Sequence, residues 1–256
     1  MDVGWWQQDV WKTATGEPLP NLEQEKRRLL KLNRTILVVG DSTMRFLYSG
    51  LLDAFNVKRR YPHHKLPPSH NCSFSHVGWP GSGPCAWLWR GPCRDSSSGC
   101  TYDHNVNRLR IVFTWWRNNL KLNLPVPRAD VLLTSAGVWE SFDGNATTVQ
   151  DKVERNLLLI TSSVHARRVI LYSNMPCLGA QREFFSSFRF PHSDFERRVL
   201  YGNEAIFRFA RRKGYDYFDR RFSMITGNDT LSPCVEHHPY GKASDLHALI
   251  ALHCIN

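Results

Sequence analysis

A serine near the start of the chain and a pair of histidines near its end could do covalent chemistry. Ser42 lies in Gly40-Asp41-Ser42-Thr43, and His237 and His238 lie in Glu236-His237-His238-Pro239. A serine hydroxyl is inert near neutral pH and attacks an acyl carbonyl only when a base takes its proton. Imidazole suits that role because its ordinary pKa lies close to neutrality. The attack also builds an oxyanion, which needs N–H donors aimed at it. Whether either ring meets Ser42 therefore decides whether acyl chemistry is open to this chain.

The elements that must position these groups are legible around Ser42. Ile36-Leu37-Val38-Val39 has the composition of a strand buried on both faces. Met44, Leu47, Tyr48, Leu51 and Phe55 recur at helical spacing after it. The pattern predicts strand, tight turn and helix, with Ser42 at the strand's C-terminal end and the helix's N-terminus. Backbone N–H groups are unpaired there, and the helix dipole favours negative charge. Open α/β sheets bind ligands at that edge. The same turn also suits a phosphate cradle or a plain strand–helix connection. His237 and His238 follow the last predicted strand and precede a closing helix at 240–254, which places them at the same edge. A His-Pro pair before a helix is an ordinary arrangement, so it is the combination with Gly-Asp-Ser that points to a serine hydrolase-type site.

The rest of the chain supplies a scaffold. Residues 1–20 are Trp-rich and irregular, with Trp5, Trp6 and Trp11 expected to strap across the domain surface, and 21–32 read as a short helix. Further strands are predicted at 57–61, 109–116, 130–137, 168–173 and 215–219. Val149, Val153, Leu157, Ile160 and Val164 share one helical face; Asp194 caps a long helix to Lys213, with Gly214 at its C-cap. Residues 178–193 carry Phe184, Phe185, Phe188 and Phe190, a hydrophobic lid or a folded-back surface loop. Strands alternating with helices give an α/β three-layer sandwich around a central, mostly parallel five-stranded sheet. One domain is expected over 1–256, with 1–35 as an N-terminal strap and helix and 62–107 as a Cys- and Trp-rich insertion. Gly78 or Gly81 in that insertion would offer a backbone N–H to an oxyanion, or simply allow the loop a positive φ.

Composition bounds the surroundings. Of seven cysteines, Cys72, Cys85, Cys93 and Cys100 crowd into the insertion, as in a disulfide-stapled loop. The odd count leaves at least one cysteine free or paired between chains. No C-x-x-C pair occurs, so a zinc site is poorly supported; no metal or cofactor is expected. Asn33, Asn71, Asn145 and Asn228 each open a glycosylation sequon. Together with the cysteines they favour the secretory pathway, in the ER or Golgi lumen or outside the cell. The N-terminal residues lack an apolar leader, which keeps the cytoplasm as the alternative. No apolar run is long enough to span a membrane, so a membrane anchor is expected only outside this segment. The net charge of +10 is spread over short basic clusters of two or three residues, most in or beside predicted helices, which read as solvated faces. Without a zinc-finger or RNA-recognition motif, nucleic acid is not an expected partner.

Three blocks together resemble the SGNH/GDSL hydrolases, and within them the PC-esterase branch. They are Gly40-Asp41-Ser42-x-x-Arg45, Ser135-x-Gly137-x-Trp139, and a terminal His-x-Pro or His-Pro followed by a helix and Cys254. That branch includes plant trichome-birefringence-like polysaccharide O-acetyltransferases and lumenal domains of fungal and animal glycan O-acetyltransferases. The resemblance implies Ser42 as nucleophile and its own N–H as an oxyanion donor. It places Asp41, Arg45, Ser135, Gly137 and Trp139 at the substrate-binding edge. His237 fits the His-x-Pro form and His238 the His-Pro form of the base. The Asp that the family commonly carries three residues earlier is replaced by Cys234 or Val235. Asp229, Glu236 or Asp245 would orient the ring instead, or the site is a Ser–His dyad. Asp245 and His247 also form a rival pair, though helical periodicity marks both as structural. An Asn donor common in these enzymes is missing at Gly137-x-Trp139, and one lost donor typically costs ~3–4 kcal/mol of barrier. The implied activity is a serine acyl-esterase or O-acyltransferase, acting with an acyl donor on a glycan or other small hydroxyl-bearing substrate. The alternative is an inactive glycan-binding or interaction domain on the same fold.

Overall fold

The structure is a computed structural model and describes residues 5–7, 10–12, 22–55, 101–116, 128–142, 146–174 and 192–220. In chain order the elements are β1 (Trp5–Gln7), β2 (Val10–Lys12), α1 (Leu22–Leu30), β3 (Arg34–Gly40) and α2 (Ser42–Ala54). Then come β4 (Thr101–Val106), β5 (Leu109–Trp115), β6 (Arg128–Thr134), α3 (Val138–Ser141) and α4 (Ala146–Ser163). β7 (His165–Tyr172), α5 (His192–Lys213) and β8 (Asp216–Phe218) complete them.

The main sheet has the order β4-β5-β3-β6-β7-β8. β3, β5, β6, β7 and β8 run parallel, and β4 is antiparallel to β5 at the edge. Counted by themselves, the parallel strands follow the flavodoxin-like order, in which the direction of winding reverses between the first strand and the third. That reversal falls between β3 and β6.

Strand alternation splits the apolar residues into two cores. Ile36, Val38, Ile111, Phe113, Val131, Leu133, Ile170 and Tyr172 face α1 and α2, meeting Leu29, Met44, Leu47, Tyr48, Leu51 and Leu52. Leu37, Val39, Val112, Leu132, Val169 and Leu171 face α4 and α5, meeting Val149, Val153, Leu157, Ile160, Ile206 and Phe209. Two helical layers thus enclose the sheet, and each fully buried aliphatic side chain contributes roughly 1.5–3 kcal/mol. The face expected of α4 is buried throughout. The end expected of α5 is a Schellman cap, with Gly214 at φ +66°. Tyr215 N–H donates to Ala210 O at 2.9 Å and Gly214 N–H to Arg211 O at 3.4 Å.

Three expectations are corrected. α5 begins at His192, so Asp194 lies inside its first turn, its carboxylate paired with Arg197 and Arg198, and is not the cap. Among the described residues the sheet has six strands, because residues 101–106, assigned above to the insertion, form the edge strand β4. Asn107 in the left-handed region (φ 56°) turns the chain from Val106 to its partner Leu109. Polar residues dominate β4, and Arg110 pairs with Asp103 across the exposed edge, which hides the strand in the sequence and discourages edge-to-edge pairing. The irregular N-terminus contains a hairpin, β1 with β2, separate from the main sheet. Its strands are three residues each, too short for alternation to register. The strand expected at 57–61, the rest of the Cys-rich insertion, the phenylalanine-rich loop up to residue 191 and the closing helix lie outside the described residues. No helix among the described residues is long and apolar enough to cross a membrane.

Candidate active site

The turn after β3 is built by Asp41. Its carboxylate accepts the Thr43 N–H at 2.8 Å and the Thr43 hydroxyl at 2.7 Å. Its main-chain carbonyl accepts Arg45 N–H at 3.0 Å, the first bond of α2. Asp41 is therefore the N-cap, and Ser42 is the first helical residue, whose N–H has no acceptor within the helix. Gly40 carries φ +152°, and an added Cβ would lie 2.5 Å from Met44 Cγ. A side chain there would push the start of α2 away from β3. The strand on the other side is also close, since Trp116 N–H donates to Gly40 O at 2.9 Å.

Across the reversal, β6 leads through Ser135 and Ala136 into Gly137, at φ +122°, and then α3. The Glu140 carboxylate accepts the Gly137 N–H at 2.7 Å and the Asn156 side-chain amide. The Ser135 hydroxyl lies 2.7 Å from Tyr172 O and 3.0 Å from Asn174 Oδ1, buried between β6 and β7. Asn174 Nδ2 donates to Ala136 O at 2.6 Å. Asn203 of α5 accepts the Asn174 N–H and donates to its carbonyl, both at 2.7 Å. Each member of this polar chain spends its hydrogen bonds on the next, so the β6 rim is tied to α5 rather than left to move.

The flanks carry the remaining groups. Arg45, half-buried, lies 5.2 Å from the centre of the Trp115 ring, a cation–π contact at the C-terminal end of β5. Trp139 of α3 tilts against Phe142 at 5.8 Å, and Phe142 meets Phe195 of α5 at 4.6 Å. Arg220, just past β8, is buried against Tyr172 and Met44.

Burial raises the Asp41 pKa, opposed by the two Thr43 bonds and by the charges of Arg220 and Arg45. Burial likewise raises that of Glu140; hydrogen bonds, including those from Asn156 and Gly137, oppose it, while the Asp41 charge adds to it. Burial lowers Arg220 to about 10, with Tyr172 and Asp41 pulling the other way. Two buried carboxylates and one buried guanidinium, that of Arg220, thus lie around the strand-order reversal, with half-buried Arg45 beside them.

Of the residues named from sequence, Ser42, Asp41 and Arg45 share the β3–α2 turn, with Ser135, Gly137 and Trp139 on the adjoining β6–α3 segment. His237, His238, Asp229 and Gly78 lie outside the described residues. Sequence reasoning missed Glu140, Asn156, Asn174, Asn203 and Arg220. Only Glu140 carried a usable signal, standing three residues after Gly137 at capping-box spacing. Among the described residues no group of three or more His, Cys, Asp and Glu is placed to hold a metal ion.

No protein-family model matches the chain, and no curated protein matches it in sequence. Among solved structures it is similar to a member of the lipolytic protein G-D-S-L family from Veillonella parvula DSM 2008. The identity is 12% and the TM-score 0.46, over 86% of this chain and 96% of that one. A second solved structure is similar at 11% identity and TM-score 0.45, with the same coverage of each chain.

Proposed function

We propose that the chain is a serine acyl-esterase or O-acyltransferase with Ser42 as nucleophile and a glycan as the hydroxyl-bearing substrate. One observation carries this reading: Ser42 is the first residue of α2, at the C-terminal end of β3, beside the strand-order reversal. Ligands gather at that crevice in open α/β sheets, and the helix N-terminus favours the negative charge of an acyl-transfer intermediate. In the proposed cycle Ser42 Oγ bonds to the acyl carbon while His237 or His238 takes its proton. The C–O bond to the leaving group then breaks, and the imidazolium returns the proton to the departing oxygen. Water or a sugar hydroxyl next attacks the acyl carbon and gives its proton to the imidazole; the bond to Ser42 Oγ breaks and Oγ takes that proton back, giving esterase or transferase outcome from one intermediate. Asp229 is the proposed orienter of the imidazole. The proposed setting is the secretory pathway, as the cysteines and sequons favour. Ser42→Ala should abolish turnover of an acetyl-ester probe with the melting temperature kept; unchanged turnover removes Ser42 from the mechanism.

A second reading, a non-catalytic glycan-binding domain, draws on the Gly137 N–H. That donor is engaged by Glu140 and so is not offered to an oxyanion. Glycan binding by a Ser42→Ala chain equal to that of the unaltered chain, with no ester turnover in either, would select it.

A further inference from the structure

Arginines that stand far apart in the sequence are lined up by the sheet. Four adjacent strands, in the order β5-β3-β6-β7, each bring one to their N-terminal ends. Arg108 directly precedes β5, Arg34 opens β3, Arg128 opens β6, and Arg167 is the third residue of β7. The register sets them side by side, with Arg34 level with Leu109 and Arg128 level with His165. Neighbouring strands lie about 4.8 Å apart, so the four positions span about 15 Å along one edge. That edge is the far one from Ser42: β3 runs from Arg34 to Gly40, a length of ~20 Å.

The row is accessible. Arg108 and Arg128 are exposed and carry no ion pair among the described residues, and the Arg167 side chain is 80% exposed. The Asp130 carboxylate lies 3.7 Å from Arg34 Nη1 and 3.5 Å from Arg167 Nη1, and accepts the Thr35 N–H at 2.8 Å. It steadies two arginines and offsets a single charge. Exposed Lys31, at the end of α1, and exposed His165 lie at the same edge.

Folding does not call for such a row, because any polar residue satisfies a strand start and like charges on neighbouring strands repel. What it fits is a line of anionic groups, since each guanidinium fork grips an oxyanion through two parallel hydrogen bonds. Single-stranded nucleic acid is held with aromatic side chains on which the bases stack. Among the described residues the row carries no Phe, Tyr or Trp.

We propose that this edge binds a linear acidic polysaccharide, one bearing carboxylate or sulfate groups, at a site separate from the crevice. The proposal goes beyond the reading of Ser42 as nucleophile and does not depend on it.

The test uses the deglycosylated full chain, because Asn33 opens a sequon inside the row. Binding of a heparin oligosaccharide is titrated at physiological salt. The chains compared are the unaltered one, Arg108→Glu with Arg128→Glu, and Arg155→Glu with Arg208→Glu. The last pair makes the same change in net charge on the exposed faces of α4 and α5. The edge pair should weaken binding about tenfold or more, and the control pair much less. Arg128→Gln alone should weaken it by a smaller step, and decides the matter if the edge pair does not fold. No binding by the unaltered chain overturns the proposal. So do equal losses in the two folded pairs, which would mean net charge alone, and so does tighter edge-dependent binding of single-stranded or duplex DNA. No ester turnover enters the readout, so failure of the esterase reading leaves this result standing.

Discussion

Glu140 holds the main-chain N–H of Gly137 at 2.7 Å, closing the β6–α3 turn with a buried carboxylate. Gly137 needs its freedom there, since φ is +122° and an added Cβ would meet Asn174 Nδ2 at 2.9 Å. Turn and carboxylate therefore form one device that sets the β6 side of the crevice. Glu140→Ala strips the acceptor from two buried donors, the Gly137 N–H and the Asn156 amide. A loss of about 1–3 kcal/mol is expected for unsatisfied buried donors, measured by urea unfolding. Glu140→Gln keeps an acceptor oxygen and should lose less.

The same carboxylate gives a pH dependence of known sign. Its folded pKa is raised, so the folded chain holds the proton more tightly than the unfolded chain. The stabilisation is complete below the ordinary carboxylate range and is lost as pH rises through the raised value. Asp41 acts in the same direction. Melting temperature against pH should therefore fall less, from acid toward neutral, in Glu140→Gln than in the unaltered chain. Parallel curves would contradict the assignment.

Gly40→Ala meets two penalties, a strained φ and a 2.5 Å approach to Met44. Overpacking of this kind costs about 1–3 kcal/mol. Because Met44 is in the first turn of α2, Gly40→Ala should also lower any Ser42-dependent activity beyond the fraction unfolded. Urea unfolding together with probe turnover separates the two effects.

Asn203→Ala removes both partners of the Asn174 main chain inside the structure. Each orphaned buried group costs about 1–3 kcal/mol. Hydrogen exchange at the Asn174 amide should accelerate well beyond the global change, since its acceptor is gone.

The apolar skeleton was legible because burial leaves periodicity. The β3–α2 unit, the inward face of α4 and the Gly214 cap of α5 all follow from spacing and end residues. Sequence does not show which polar groups will be buried. Asn174 and Asn203 stand 29 positions apart, and Arg220 and Met44 stand 176 apart. Nothing local marks such pairs, because their partners are chosen by packing of the sheet on its helices. β4 escaped for a related reason: an exposed edge strand needs polar residues, and polar residues erase the alternation that reveals a strand.

The most direct test of the account is reaction of the folded chain with a fluorophosphonate, followed by peptide mapping of the adduct. An activated serine predicts one phosphonyl group per chain, on Ser42, with labelling lost in Ser42→Ala and in the His237 or His238 variant that removes the base. Folded protein that takes up no label, or takes it at another residue, contradicts it.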